Sequence, residues 1–280
     1  DEQENITLAN RLQEAGAHVV YGIVGYKTHA KMILIVRREK RGLRKYVHLG
    51  TGNYHTRTAR AYEDYGLFTA VREIGQDVHN MFLQLTSLGR VSQMNRILHS
   101  PFTLQSGLLE RIAAERDHAA AGRRGRIIAK VNSLVEPKVI EALYEAAIAG
   151  VEIDLIVRGM CCLRPGIEGV SDHIRVRSIV GRFLEHSRIY YFGGNGHPQY
   201  WLSSADWMER NFFRRVETCF PVDDSGLRER LQRELDLYLR DNSQAWLLGS
   251  DGKYTRAQPE KDADSLAVQQ YLLEQGATQE

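Results

Sequence analysis

The sequence predicts an α/β protein with mixed sheets, built as two similar halves in tandem. Apolar runs of strand character alternate with segments at helical spacing. One short pattern also occurs twice: a histidine entering a strand, a cation two residues on, and a hairpin that returns to a small polar loop. Finally, Val151 to Val157 is a nearly continuous apolar run, as expected of a strand buried on both faces of a parallel sheet.

The elements follow in order. Asn5 to Ala15 reads as a helix, with Leu8, Leu12 and Ala15 on one face and Gly16 placed to end it. A β-rich run spans His18 to Val24. Met32 to Val36 and Tyr46 to Leu49 flank a basic polar turn containing Gly42, which predicts a hairpin. Ala70 to Leu98 is mostly helical in pattern, punctuated by Ser100-Pro101. Leu104 to Ala121 is a helix ended by Gly122. Ile127 to Val131 is a strand, and Pro137 opens a helix that Gly150 stops. Ile174 to Val180 is a further strand, then comes a hairpin of Ile189 to Phe192 with Tyr200 to Leu202. Leu227 to Leu239 is an amphipathic helix. After Ser250 the chain is polar, with one short helix candidate from Leu266 to Leu273.

The repeat aligns Ile23-Val24-Gly25, His29-Ala30-Lys31 and Gly50-Thr51-Gly52-Asn53 with Ile179-Val180-Gly181, His186-Ser187-Arg188 and Ser203-Ser204-Ala205-Asp206. In a strand, residues i and i+2 share a face, so each histidine and its cation point the same way. Two such half-sites can close on one cleft. The second half has a strand, Leu155 to Gly159, before its histidine element. Its counterpart would lie before Asp1, so the chain is expected to be cut inside its first domain.

Composition narrows the class. A chain of 280 residues, 43% hydrophobic and 26% charged, is long enough for two ordinary domains and unlike a disordered or collagen-like protein. The apolar run Met32 to Val36, about five residues, is too short to span a bilayer. The opening Asp1-Glu2-Gln3-Glu4 has no signal-peptide character. Three cysteines, Cys161, Cys162 and Cys219, form neither a disulfide framework nor a zinc pattern; the adjacent pair is expected to fill core. A reducing, cytoplasmic home is the default. The net charge is only +2, but Lys and Arg gather at 27–60, 123–130 and 158–215, which suits a compact polyanion.

A histidine beside a cation and a small-residue loop suits phosphorus chemistry. Imidazole nitrogen is a nucleophile at neutral pH, a cation stabilises the transferring oxygens, and small residues let backbone N–H groups approach phosphate. The other histidines, His18, His48, His55, His79, His99, His118, His173 and His197, have no matched partner and read as structural.

The paired arrangement resembles the phospholipase D superfamily, whose half-sites carry His-x-Lys and an aspartate five residues after the lysine. Here those positions hold Val36 and Gly193, and the second cation is Arg188. These departures count against a phosphodiesterase. The stretches Gly25 to Lys31, His48 to Tyr54, Thr58 to Tyr62, Val157 to Cys161, Leu184 to Arg188 and Leu202 to Asn211 look like polyphosphate kinases of the first type. The resemblance runs from about Asn5 to at least Ala245.

It implies two tandem phospholipase-D-like domains, at 1–100 (truncated at its N-terminal side) and 101–249, each a mixed sheet flanked by helices, then a polar tail at 250–280. It implies reversible transfer of the ATP γ-phosphoryl group to inorganic polyphosphate through a phosphohistidine at His29, with His186 as general acid or base. Tyr62, Arg158 and His186 match ATP-contacting positions. Lys31, Arg188 and Arg215 are phosphate clamps by charge and by their place in the motifs, a bland pairing of Arg215 with Glu217 being the alternative. Mg²⁺ arrives with ATP, and the family's arginines that hold magnesium match nothing here. A homo-oligomer is implied, with no nucleic-acid partner and a cytoplasmic place, at most peripheral to the inner membrane face. Two rival readings stay open: a phospholipase-D-like phosphodiesterase, and a silent polyanion-binding module.

Overall fold

The computed structural model describes residues 2–86 and 93–277. The first half runs α1 (Glu2–Glu14), β1 (Lys27–Thr28), β2 (Lys31–Glu39), β3 (Gly42–Gly50), α2 (Thr56–Ala59), β4 (Tyr62–Glu63), β5 (Gly66–Thr69) and α3 (Arg72–Leu85). The second runs β6 (Leu98–Ser100), α4 (Leu104–Ala120), β7 (Arg126–Val131), α5 (Pro137–Ile148), β8 (Glu152–Val157), β9 (Ile174–Ile179), β10 (Leu184–Glu185), β11 (Arg188–Phe192), β12 (Gln199–Ser203), α6 (Glu209–Phe213), β13 (Arg215–Pro221) and α7 (Ser225–Arg240). The chain closes with β14 (Ala245–Leu248), β15 (Tyr254–Arg256) and α8 (Val268–Ala277). The fold is mixed α/β, with sheets flanked by helices.

The main sheet has ten strands in the order β1-β13-β12-β11-β7-β8-β9-β14-β15, with β6 also paired to β13. Its centre, β7-β8-β9, is parallel. Residues alternate cleanly between its faces. Ile127, Ala129, Val131, Ile153, Leu155 and Val157 pack with Leu104, Leu108 and Ile112 of α4 and Val139 and Leu143 of α5. Ile128, Ile156, Ile189, Leu202 and Phe220 turn the other way, toward Leu231, Leu235 and Tyr238 of α7. A strand buried on both faces shows no polar side in its sequence, which is why β8 was so legible. The stops expected at Gly122 and Gly150 are present, each in the left-handed region (φ 72° and 96°) that favours glycine after a helix.

The first half builds a smaller antiparallel sheet, β2-β3-β5, with the expected hairpin in the register Lys31 opposite Gly50. Val47 and Leu49 of β3 pack with Ile74, Val78 and Met81 of α3, and this cluster continues into the face of the main sheet that carries α7. The two halves thus share buried apolar surface.

Three expectations need correction. The run His18 to Val24 forms no strand: no neighbour offers it a ladder, and Tyr21 and Val24 stand 72% and 98% exposed. The helix expected through Leu98 ends at Leu85, and residues 93–97 are irregular before β6; residues 87–92 of that expectation lie outside the described residues. The adjacent cysteines do not both fill core: Cys162 is exposed, while Cys161 is half-buried and packs against the core cluster. The structure also adds elements: β13, and β14 with β15, which extend the main sheet. β13 is hidden in sequence because Glu217 and Thr218 interrupt its apolar pattern while being fully buried.

Leu155, in the middle of β8, is 1% exposed. Leu155→Ala should cost about 2–5 kcal/mol, the range for deleting a packed aliphatic side chain, read as a lower urea midpoint with an unchanged slope.

Candidate active site

Two ladders of two residues each decide where the site lies. β1 runs parallel to β13, with Lys27 opposite Arg215 and Thr28 opposite Val216. β10 runs parallel to β4, with Leu184 opposite Tyr62 and Glu185 opposite Glu63. Carried one residue further, these registers set His29 beside Glu217 and His186 beside Asp64. The side chains complete both pairs. His29 Nδ1–H donates to Glu217 Oε2 at 2.8 Å, across 188 residues of chain. His186 Nδ1–H donates to the Asp64 carboxylate at 2.9 Å, across 122 residues. Each histidine is therefore oriented by an acid from the other half.

Both acids are held in turn. Glu217 is fully buried and accepts hydrogen bonds from Ser204 Oγ and, at 2.6 Å, from Asn211 Nδ2. Asp64 accepts from Thr51 Oγ1 at 2.7 Å, in the loop where the first hairpin returns. Arg188 joins the two half-sites. The residue is 3% exposed, and its guanidinium donates from Nε and Nη2 to the two oxygens of Asp206, both at 3.1 Å. Its Nη1 reaches Thr51 O and His186 Nε2, each at 3.3 Å. A guanidinium can only donate, so His186 Nε2 carries a lone pair there. A carboxylate can only accept, so His29 holds its proton on Nδ1 and leaves Nε2 free.

The charges follow from burial. Desolvation lowers the pKa of His29 against the opposing pull of Glu217, and lowers that of His186 against Asp64. Both rings are thus neutral near pH 7. Lys31 is 6% exposed, and burial brings its ammonium down to about 8, against the attraction of Glu217. Its Nζ is buried and has no hydrogen-bond partner among the described residues. A buried donor without an acceptor is costly, and a bound anion would satisfy it. The site therefore brings together two neutral imidazoles and two cations, one of them without a partner among the described residues, which suits a group that carries several negative oxygens.

The remaining sequence candidates stand at different places. The Tyr62 ring lies 5.0 Å from that of His186, tilted against it. Arg158 sits behind His186, its Nε donating to Glu185 O at 2.7 Å and to Asn132 Oδ1 at 3.1 Å. Arg215 is half-buried, two residues before Glu217, and forms no ion pair with it; Glu217 is taken by His29. The described residues contain no cluster of three or more His, Cys, Asp or Glu suited to a metal ion.

Sequence reasoning missed Asp64 and Glu217 as partners of the histidines, and Asn132, Asp206 and Thr51 as the groups around them. A signal existed in the repeat, since an acid follows the hairpin's return loop in both halves. What it did not contain was the crossing. Val36 and Gly193, where a phosphodiesterase pattern has acids, lie along or beyond the hairpin strands, while the acids used here arrive from the opposite half.

The chain also resembles known proteins. Residues 1–91 match the family model "Polyphosphate kinase C-terminal domain 1" and residues 97–269 match "Polyphosphate kinase C-terminal domain 2". A polyphosphate kinase of Pseudomonas aeruginosa is 58% identical over 274 residues, which is 98% of this chain and 40% of that protein. One from Xylella fastidiosa is 58% identical over 275 residues, 98% of this chain and 39% of the relative. The crystal structure of polyphosphate kinase from Porphyromonas gingivalis matches with a TM-score of 0.90 at 36% identity, covering 98% of this chain and 43% of that one. The chain thus spans 40% or less of the length of these curated relatives.

Asp206 balances a buried guanidinium. Burial alone would raise its pKa, and Arg188 outweighs that and holds it below 3.8. Asp206→Ala should cost about 3–5 kcal/mol at neutral pH, since it strands Arg188. A carboxylate with a depressed folded pKa stabilises above its unfolded value, so the cost should shrink as pH falls through the folded pKa, in denaturation curves run from neutral to acid.

Proposed function

This chain belongs to the polyphosphate kinase family, and on that premise we propose that it carries the phosphoryl-transfer centre of such an enzyme, moving the ATP γ-phosphoryl group reversibly to inorganic polyphosphate through a phosphohistidine at His29. The observation that carries the reading is the crossed pairing. It leaves two neutral imidazoles beside the unsatisfied ammonium of Lys31, with Nε2 open on His29 and facing the Arg188 guanidinium on His186.

His29 Nε2 donates its lone pair to the γ-phosphorus as the bond to the β–γ bridging oxygen breaks, and ADP leaves with that electron pair. Glu217 stabilises the positive charge that develops on the ring through the Nδ1–H bond. In the second step a terminal oxygen of polyphosphate attacks the same phosphorus, the N–P bond breaks, and its electrons return to Nε2. His186 Nε2 takes the proton of the attacking phosphate hydroxyl and returns it in reverse, with Asp64 steadying the charged ring. Lys31 and Arg188 stabilise the equatorial oxygens of the transferring group. Tyr62 offers the nucleotide an aromatic face beside His186, and Arg158 and Arg215 flank the phosphates. The exposed cations Arg37, Arg38, Lys40, Arg41 and Arg44 at the tip of the β2–β3 hairpin draw the polymer toward the cleft. The carboxylates of the cleft are committed to histidines and to Arg188, so the donor set does not fit a resident Mg²⁺. Magnesium is then part of the substrate, as Mg·ATP.

Incubation with γ-labelled ATP should place acid-labile, base-stable phosphate on the protein, and His29→Ala should remove it. Label that persists in the variant would refute the nucleophile, and binding of polyphosphate without label in the intact protein would leave only a binding module. His186→Ala should lower kcat by about 10²- to 10⁴-fold, the usual contribution of a general acid–base group.

The pH profile provides a separate check. Attack needs His29 unprotonated, and its lowered pKa puts the acid limb of kcat/KM below 6.5. Lys31 must stay charged, so activity should fall as pH rises through about 8. Lys31→Arg, which keeps its charge, should remove that basic limb while leaving the acid one.

A further inference from the structure

Behind His186, on the side away from the cleft, lies a buried polar cluster that the phosphoryl-transfer reading does not use. The Lys130 side chain is 2% exposed, and its ammonium meets Glu63 Oε2 and Glu185 Oε2, each at 2.8 Å, and Ser187 Oγ at 2.7 Å. Glu63 precedes Asp64, and Glu185 and Ser187 bracket His186. One cation therefore grips both strands whose next residues form the His186–Asp64 pair.

The chain's last helix closes this cluster. Gln269, in the first turn of α8, is 5% exposed and spends every hydrogen-bonding atom of its carboxamide on the segment leading to His186. Phe183 N–H donates to Gln269 Oε1 at 2.9 Å, and Gln269 Nε2 donates to Phe183 O at 2.8 Å. The second Nε2 hydrogen goes to Glu185 Oε1 at 2.6 Å. The amide thus acts as an extra strand beside β10, whose ladder partner among the described residues is β4. Two further features serve this contact. A Cβ on Gly181 would stand 2.4 Å from Gln269 Oε1, so glycine leaves the room that the carboxamide fills. Asp241 Oδ2 accepts from Val268 N–H at 2.8 Å and anchors the start of α8, while Oδ1 holds the backbone that leads into β14.

We infer that Gln269 is a positioning residue for His186, and that α8 serves as a strap which sets the catalytic place of that ring through Phe183 and Glu185. The inference rests on the reading of His186 as the proton-transferring group. The carboxamide fixes the strand, Lys130 fixes Glu185 and Ser187, and together they fix the ring that Asp64 orients.

The test compares Gln269→Met, which keeps the volume and loses the hydrogen bonds, with Gln269→Glu, which sets a third carboxylate against Glu185. Both are made in the intact protein, with His186→Ala run alongside. Polyphosphate synthesis from ATP is the readout. Gln269→Met should lower kcat roughly tenfold with KM for ATP changed less than twofold, and Gln269→Glu should be worse. In a His186→Ala background Gln269→Met should have no further effect, because a residue that acts through another loses its influence when that residue is gone. An equal loss in both backgrounds, or a loss confined to KM, would overturn the inference. So would a wild-type rate for Gln269→Met beside an inactive His186→Ala, whereas a wild-type rate for His186→Ala itself would overturn the underlying reading. If Gln269→Met does not fold, Gly181→Ala displaces the same carboxamide without deleting it, and its kcat must fall in the same non-additive way.

Discussion

The rest of the site depends on the register of two very short parallel ladders. β1 against β13 and β4 against β10 are only two residues long, yet each ends one step before a histidine on one strand and an acid on the other. Because the acid belongs to the opposite half, neither half can assemble a working histidine by itself. A slip of one residue in either ladder would turn the acid away from its ring, since successive side chains in a strand point to opposite sides. The apolar cluster shared by β3, α3, α7 and the main sheet holds the halves together so that these ladders form.

Burial makes this arrangement chemically useful. An exposed imidazole is partly protonated near neutrality, whereas desolvation keeps His29 and His186 neutral, and the carboxylate behind each fixes its tautomer. The same burial weakens the hold of Lys31 on its proton and leaves its ammonium without an acceptor. Arg188 is treated differently: Asp206 takes its Nε and Nη2, while its Nη1 faces His186 and Thr51 across the half-sites. One cation is left without a partner among the described residues, while the other faces the site already paired.

The asymmetry between halves follows the same logic. Glu217, behind His29, is wholly buried and held by two polar neighbours, which suits the positive charge that the proposed reaction places on this ring. Asp64, behind His186, keeps 22% of its side chain exposed and rests on Thr51. The second ring gains its support from behind instead, through Lys130, Asn132 and the Gln269 strap. Asn132 donates to His186 O at 3.2 Å and accepts from Arg158, so the segment that holds the ring and the guanidinium beside it share one anchor. Buried polar networks are worth their desolvation when their members are paired, as Lys130, Asn132 and Gln269 are here.

Much of this protein was readable from local pattern. The hairpin of β2 and β3, the helices α4 and α5 with their glycine stops, the buried strand β8 and the duplicated histidine–cation motif are all set by periodicity and turn chemistry within a few residues. His29, Lys31, His186 and Arg188 were therefore legible as candidates, and they come together at one site. The pairing of His29 with Glu217 and of His186 with Asp64 was not legible, because it depends on which strand lies beside which. Strand β13 was hidden because its buried Glu217 and Thr218 break the apolar pattern that marks a strand, and the Lys130 cluster because its members come from separate elements. The tail read as polar chain with one helix candidate from Leu266 to Leu273 and no sign of what it packs against; Val268 is fully buried there, and Gln269 reaches the histidine strand. Sequence sets the short-range elements because their hydrogen bonds close within a turn or a hairpin; contacts across a hundred residues or more are chosen only when the whole core packs.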